Sequence, residues 1–247
     1  MSRRFPRLKN TKSIDVRGYH DTLDNSGFEL VTTTGPAIPT LPTAGGTLTI
    51  VSTDAGDTGK LVVDYLDAVS WQELRTVYTL NGTTPVTVDD NSATISAIRI
   101  NRARYHGANI GRIDAKVGAT TLQQIPAGAG ASATAIYTVP VGQQAVIHGV
   151  YLTATEKTTV RLLQHLHGEG QAFQVLRTFN VQGSIYVPWG YPHRIETQGV
   201  DDTRHETKIT LLADANCRTA AVTSFVEIGL DIEVSRNDTT SPGFLYT

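Results

Sequence analysis

Val222-Thr223-Ser224-Phe225-Val226-Glu227-Ile228-Gly229-Leu230-Asp231-Ile232-Glu233-Val234 is the stretch whose reading decides the fold. Val222, Val226, Ile228, Leu230, Ile232 and Val234 share one face, while Glu227, Asp231 and Glu233 share the other. A period of two over this length describes a long β-strand with one buried and one wet face.

The same style extends backward through residues 118–247. Ala135-Ile136-Tyr137-Thr138-Val139-Pro140 and Gln144 to Thr153 read as strands, followed by Thr159–Leu166, Ala172–Phe179 and Ile185–Val187. Some eight strands with no helical insert predict a jelly-roll-type β-sandwich. Residues 47–117 repeat the pattern at smaller scale. Strands are expected at Thr47–Val51, Lys60–Leu66, Arg75–Leu80, Pro85–Val88, Ala93–Ile100 and Gly111–Val117. Asn81-Gly82 between two of them is a strong hairpin signal, because both residues tolerate positive φ. Short strands this dense predict a small β-sandwich.

Residues 1–46 differ. Pro36, Pro39 and Pro42 resist helix and central strand and favour an extended path, with Gly27–Val31 as one candidate strand. Residues 1–20 hold Arg3, Arg4, Arg7, Lys9, Lys12 and Arg17 against Asp15 alone, a balance of +5. The whole chain is at -2, so the remainder carries -7. Ordering such a segment costs about 1–2 kcal/mol per residue in backbone entropy, so contacts must offset it. The segment is therefore read as an arm that docks on its own body or on a neighbouring subunit, its six basic residues meeting acidic protein surface. Fully extended, 46 residues reach about 150 Å at roughly 3.3 Å each.

Composition agrees with an all-β globular chain. It is 40% hydrophobic and 18% charged, rich in Thr, Val, Ile and Gly, with a single Met. A net charge of -2 argues against bulk nucleic-acid binding. One cysteine, Cys217, allows no internal disulfide, which fits assembly in a reducing host cytoplasm. No apolar run approaches the ~20 residues of a membrane helix, and no apolar core follows the N-terminal basic residues as in a secretory signal.

Catalytic signatures are thin. No Gly-x-Ser-x-Gly elbow, phosphate-binding glycine loop or His-Glu-x-x-His pattern occurs. Cys217 falls in a loop-like patch, Asp214 to Arg218, with no local base. His165, His167 and Glu169 alternate as one strand face would place them, and two imidazoles with a carboxylate suit an open divalent-metal site. Farther on, Pro188-Trp189-Gly190-Tyr191-Pro192-His193 contains Pro-x-Gly-x-x-His. These two stretches, about thirty residues in all, resemble the signature motifs of the cupins, jelly-roll proteins that often hold a metal through His, His, Glu and a later His. The pattern departs from that family where Glu169 follows too closely and Gly168-Glu169-Gly170 reads as a turn. On the competing reading His165 and His167 lie on a solvated strand face opposite Val160, Leu162 and Leu166, and Tyr191-Pro192 only closes a loop. That reading is preferred, so no cofactor and no enzyme activity are expected. Trp71 and Trp189, near turns, are read as core-edge or interface anchors.

A second resemblance covers roughly residues 47–235. Thr79-Leu80-Asn81-Gly82-Thr83-Thr84-Pro85-Val86, Asn109-Ile110-Gly111-Arg112-Ile113, Ile125-Pro126-Ala127-Gly128, Ala135 to Gly142 and Val160-Arg161-Leu162-Leu163 are similar to phrases in tailed-bacteriophage virion proteins. Proteins of that kind pair a sandwich with a jelly roll and belong to the head surface or the tail region. The resemblance implies a virion location and a capsid-decorating or cement role. The chain would bind major-capsid protein or other virion subunits and form a closed homo-oligomer, a trimer being favoured. A neck, tail or receptor-binding component is the alternative within the same group, and a cupin-like metal-dependent enzyme is the alternative outside it.

Overall fold

The computed structural model describes residues 12–32, 41–90, 93–166, 173–196, 209–219, 222 and 224–236. Among the described residues every regular element is a strand, as the all-β composition predicts. In chain order the first eight are β1 (Lys12–Leu23), β2 (Glu29–Leu30), β3 (Gly46–Ser52), β4 (Lys60–Asp67), β5 (Glu73–Thr79), β6 (Val86–Thr87), β7 (Asp89–Asp90) and β8 (Ala93–Thr94). Then come β9 (Ser96–Tyr105), β10 (Ile113–Val117), β11 (Thr120–Ile125) and β12 (Ile136–Thr138). The last four are β13 (Gln143–Leu166), β14 (Phe173–Glu196), β15 (Ile209–Cys217) and β16 (Ser224–Arg236).

The larger sheet runs β1-β16-β13-β15-β12, with β14 on β13 and β2 on β15. β13 organises it. β14 follows β13 along its length on one side, while β16 takes the N-terminal half of the other side and β15 the C-terminal half. Registers shift between Ala154 and Thr158, opposite Gly183 with φ of 82°. The bend is fastened by Ser224, whose Oγ accepts from the Glu156 amide at 3.2 Å and lies 3.1 Å from the Thr158 hydroxyl. The two halves then share one apolar cluster: Ile147, Val150 and Leu152 from the first, Val160 and Leu162 from the second, with Val226, Ile228, Leu230 and Ile232 between. One sheet thus folds on itself into two layers, in jelly-roll manner. From Val226 to Val234 the decisive stretch behaves as its alternation requires, with even positions buried and Glu227, Asp231 and Glu233 half-buried on the outer face; the strand begins only at Ser224, however, and Val222, expected on the buried face, lies ahead of it and is 41% exposed.

The smaller sheet runs β11-β10-β3-β9-β4-β5, with β6 on β3. Only Gly46 and Thr47 join β3 to β9, opposite Ala97 and Ser96, so this is a corner between two layers. Leu48, Ile50, Leu61, Val63, Ile100, Ile113 and Leu122 fill the space between them.

Several expectations need correction. The strands expected at 144–153 and 159–166 are one strand, as are those at 172–179 and 185–187, because the register shift bends the pair without ending it. Asn81-Gly82 makes its turn, with the Thr84 amide 3.0 Å from the Asn81 carbonyl, but it joins no hairpin. β5 pairs with β4 and β6 with β3, so the turn carries the chain between layers. β11 extends the smaller sheet to Ile125. Within residues 1–46, β1 lies against β16 over Lys12–His20, and Ile14, Val16, Leu23 and Val31 enter the larger core. Gly18 permits this docking, since a Cβ there would fall 2.5 Å from the Val31 carbonyl oxygen and 2.6 Å from the Ala135 Cβ.

The two sheets meet through buried amides. Asn101 on β9 mimics a strand partner for β12, donating to the Thr138 carbonyl at 2.9 Å and accepting from its amide at 2.8 Å. Gln123 on β11 donates to the Ile136 carbonyl at 3.3 Å, and the Thr32 hydroxyl donates to Gln124 at 3.0 Å. Asn101, whose donor and acceptor are both paired with Thr138, fixes the register of β12 against β9 more strictly than apolar packing does.

Candidate assembly surface

The outer face of the first layer presents a row across four strands. Arg17 on β1 stands beside Gly229 on β16, Gly229 beside Tyr151 on β13, and Tyr151 beside Tyr186 on β14. The next row is Tyr19, Glu227, Thr153 and Ser184. With no side chain at Gly229, the middle of the row sinks into a trough of about 550 Å³ bounded by Arg17, Tyr151, Thr153, Glu227 and Asp231.

Beside the trough the surface rises into an aromatic ledge. The Tyr151 and Tyr186 rings lie 4.4 Å apart and tilted by 35°. Gly149 makes room for this, since a Cβ there would strike the Tyr186 ring. Tyr151 is 57% exposed and Tyr186 42%, with Ile185 and Val175 also exposed along β14. Burial, then Tyr151 and Asp231, push the Tyr186 phenol upward, so its hydroxyl remains a neutral donor. Adjacent exposed aromatics on a rigid sheet are costly to leave against water and suit protein contact. β14 is also an edge strand among the described residues, and from Thr178 to Val187 it carries no charge. Charges and prolines are the usual protection of such edges.

Of the six basic residues expected to meet a partner, Lys12 and Arg17 lie on β1. Lys12 donates to Glu73 of the smaller sheet at 3.1 Å, and exposed Arg17 borders the trough. Arg3, Arg4, Arg7 and Lys9 lie outside the described residues. His165 is not on a solvated face: it is 1% exposed and its ring lies 5.1 Å from that of Phe173, tilted by 46°. The reason is the smaller sheet, since Phe173 packs against both its core and the Leu30-Ile136-Leu163 cluster, covering what an isolated layer would leave wet. His167 and Glu169 lie outside the described residues. The His193 backbone pairs with Ile147 within β14, so Tyr191-Pro192 belongs to an irregular stretch of strand. Among the described residues no three His, Cys, Asp or Glu side chains are grouped to hold a metal. Cys217 is buried in the last position of β15, not in a loop. Trp71 is buried against Leu66 and Ile98, and Trp189 packs on the larger core.

Three loop phrases, Asn81-Gly82, Asn109–Arg112 and Pro126–Gly128, come together at one end of the smaller sheet, whereas Ala135 to Gly142 and Val160–Leu163 belong to the larger one. Asp57 is buried, and its carboxylate accepts from the Ser52 hydroxyl at 2.5 Å and the Ile110 and Gly111 amides at 2.8 and 3.0 Å. Its carbonyl takes the Gly82 amide at 3.0 Å. Asn109 donates to the Gly111 and Pro126 carbonyls at 2.6 and 2.7 Å and accepts from the Gly130 amide at 2.9 Å. Burial works against the charge on Asp57, but its donors prevail and hold the carboxyl below the usual range. Asn81-Gly82, Asn109–Arg112 and Pro126–Gly128 thus serve the backbone, not a ligand.

Sequence reasoning missed Tyr151, Tyr186 and the trough. A signal existed: Gly229 interrupts the wet face of β16, and a missing side chain between Glu227 and Asp231 is where a partner's side chain can enter.

No family model matches the chain, and no curated protein matches it. Among solved structures the chain is similar to one described as infectious bursal disease virus Gx strain, at 11% identity and a TM-score of 0.31, over 94% of this chain and 73% of the other. It is similar to Broad Bean Stain Virus at 10% identity and 0.25, over 86% and 100%. A third likeness is to the Cowpea mosaic virus top component, naturally occurring empty particles, at 12% identity and 0.23, over 83% and 92%. These likenesses are loose.

Proposed function

We propose that the chain is a virion structural protein that decorates a capsid, docking on major-capsid subunits through its basic N-terminal residues and its outer sheet face. The observation that carries this reading is the row Arg17-Gly229-Tyr151-Tyr186, an exposed aromatic ledge beside an acid-bordered trough on a rigid sheet. The virion address comes from the sequence phrases, and assembly in the host cytoplasm as a closed homo-oligomer, a trimer, goes with it. The uncharged edge of β14 is the place for contacts between copies.

The test is co-sedimentation with particles lacking the protein. Removal of the arm must stop at residue 11, because Ile14, Val16, Leu23, Leu30 and Val31 belong to core clusters. A chain lacking residues 1–11 and the double variant Y151A/Y186A are each expected to fold and to lose particle binding by at least about tenfold, as when central anchors are truncated. Normal decoration by both variants would overturn the proposal.

A further inference from the structure

Docking of the outer face would bury carboxylates that the fold itself leaves unpaired. β16 carries three of them on that face. Glu233 is taken by His148 at 2.9 Å, whereas Glu227 and Asp231 have no hydrogen bond or ion pair among the described residues. Both are already half-buried, and both border the trough. Taking an unpaired carboxylate out of water is costly, so a contact that covers two of them is stable only if it brings a cation. Arg17 stands on the same border but has an interaction of its own. Even counted in full, its charge leaves two carboxylates against one guanidinium, a balance of -1 that one further cation neutralises.

The shape of the trough selects the cation. Gly229 lies at its middle, and Glu227 and Asp231 stand on the same face two residues to either side, about 6.6 Å along the strand at roughly 3.3 Å per residue. Tyr151 forms the wall on the β13 side. Its ring has Tyr186 at 4.4 Å toward β14, so its other face is turned to the trough. After burial and Tyr151, Asp231 is the next cause that pushes the Tyr186 phenol upward, so negative charge stands beside the tyrosine pair. A flat π-face flanked by a carboxylate at each end suits a guanidinium, which stacks with its plane and donates from its edge. A lysine ammonium is a compact point charge without that plane and fork.

We propose that the subunit on which this face docks places an arginine side chain in the trough, its guanidinium against the Tyr151 ring and its N–H groups donating to the Glu227 and Asp231 carboxylates. This contact presupposes the docking proposed above and sets the chemistry at its centre.

The experiment has two arms. In the first, the full chain with ring-labelled tyrosine is titrated by NMR with acetyl-Gly-Arg-Gly-amide, with the neutral citrulline counterpart as control and the lysine counterpart as comparator. The expected result is a saturable shift of the Tyr151 and Tyr186 resonances with the arginine peptide, weaker with lysine and at least about tenfold weaker with citrulline. E227Q/D231N keeps the shapes of both side chains and should lower arginine-peptide binding at least about tenfold, as for loss of bonds to charged groups. In the second arm, E227Q/D231N should lose particle binding by a similar factor in co-sedimentation. Absence of a saturable shift, equal binding of the citrulline peptide, or unchanged peptide binding by E227Q/D231N would each overturn the arginine site. A shift that appears only after residues 1–11 are removed would give the trough to the chain's own basic residues and overturn the assignment to the docked subunit. Normal particle binding by E227Q/D231N, with that of Y151A/Y186A lost, would overturn the arginine contact and leave the docking face standing. Normal particle binding by both double variants would sink the docking of this face, and the arginine contact with it.

Discussion

Replacing Asp57 with Asn tests whether the loops at Asn81-Gly82 and Asn109–Arg112 are held by a buried hub. Asn preserves the shape of the side chain but offers one acceptor oxygen and no charge. In the native chain Oδ1 takes the Ile110 amide, and Oδ2 takes the Gly111 amide and the Ser52 hydroxyl. Whichever way the Asn amide turns, its NH2 group faces one of the two backbone N–H groups. One buried donor left unpaired costs about 1–3 kcal/mol, and the surviving bonds fall from charge-assisted to neutral strength, so the sum is about 2–4 kcal/mol. Equilibrium urea unfolding measures this through the midpoint, with the slope unchanged. In a W189F background Trp71 reports the smaller sheet by fluorescence, since Trp71 and Trp189 pack on different clusters. The pH dependence adds a second check. The Asp57 carboxyl is held below its unfolded value of about 3.9, so its contribution is present above that value and is lost as pH falls through the lower folded pKa. The gap between wild type and D57N should therefore narrow on acidification. A gap below about 0.5 kcal/mol at neutral pH, the level of an ordinary surface change, would refute this account of the hub.

Gly18→Ala should destabilise the larger sheet by about 2–3 kcal/mol, because the new Cβ meets the backbone of Val31 and Ala135, which cannot turn aside. Calorimetry checks it, and an unchanged Tm would mean β1 is not packed as described. Lys12→Ala should change stability by less than about 0.5 kcal/mol despite its bond to Glu73, since its side chain is half exposed; urea unfolding decides. Arg99→Met should lie within about 1 kcal/mol of wild type. The guanidinium is buried with Nε and Nη2 unpaired and its pKa lowered to about 10, so an apolar chain of similar length recovers packing while sparing desolvation. A loss above about 3 kcal/mol in that variant would show that the bonds from Nη1 to the Pro42 and Ile98 carbonyls dominate. Cys217 should react with a thiol reagent only after unfolding, because it is fully buried.

Much of the fold was legible because alternation is a local property. The stretch from Val226 to Val234 buries alternate residues wherever its neighbours lie, and the turn from Asn81 to Thr84 needs left-handed freedom at Gly82 alone, with φ of 54°. What alternation does not encode is which strand lies alongside. Hence the Asn-Gly turn reads as a hairpin although its flanks pair in different layers, and β13 reads as two strands because its bend at Ala154–Thr158 resembles a loop. His165 shows the same limit for burial, since its face is covered by residues distant in sequence. β15, from Ile209 to Cys217, alternates weakly across Ala213, Asp214 and Ala215, and its pairing with β13 is what makes it a strand. The assembly face was half legible: the carboxylates of β16 were visible, while the tyrosines beside them become neighbours only through the registers of β13 and β14.

The copy number of the chain in purified particles, measured by quantitative mass spectrometry against the major capsid protein, is the most direct measurement of the proposed role. Decoration predicts hundreds of copies per particle, lost together with residues 1–11. A dozen copies or fewer would move the chain to the neck or tail, and its absence from particles would contradict a virion role altogether.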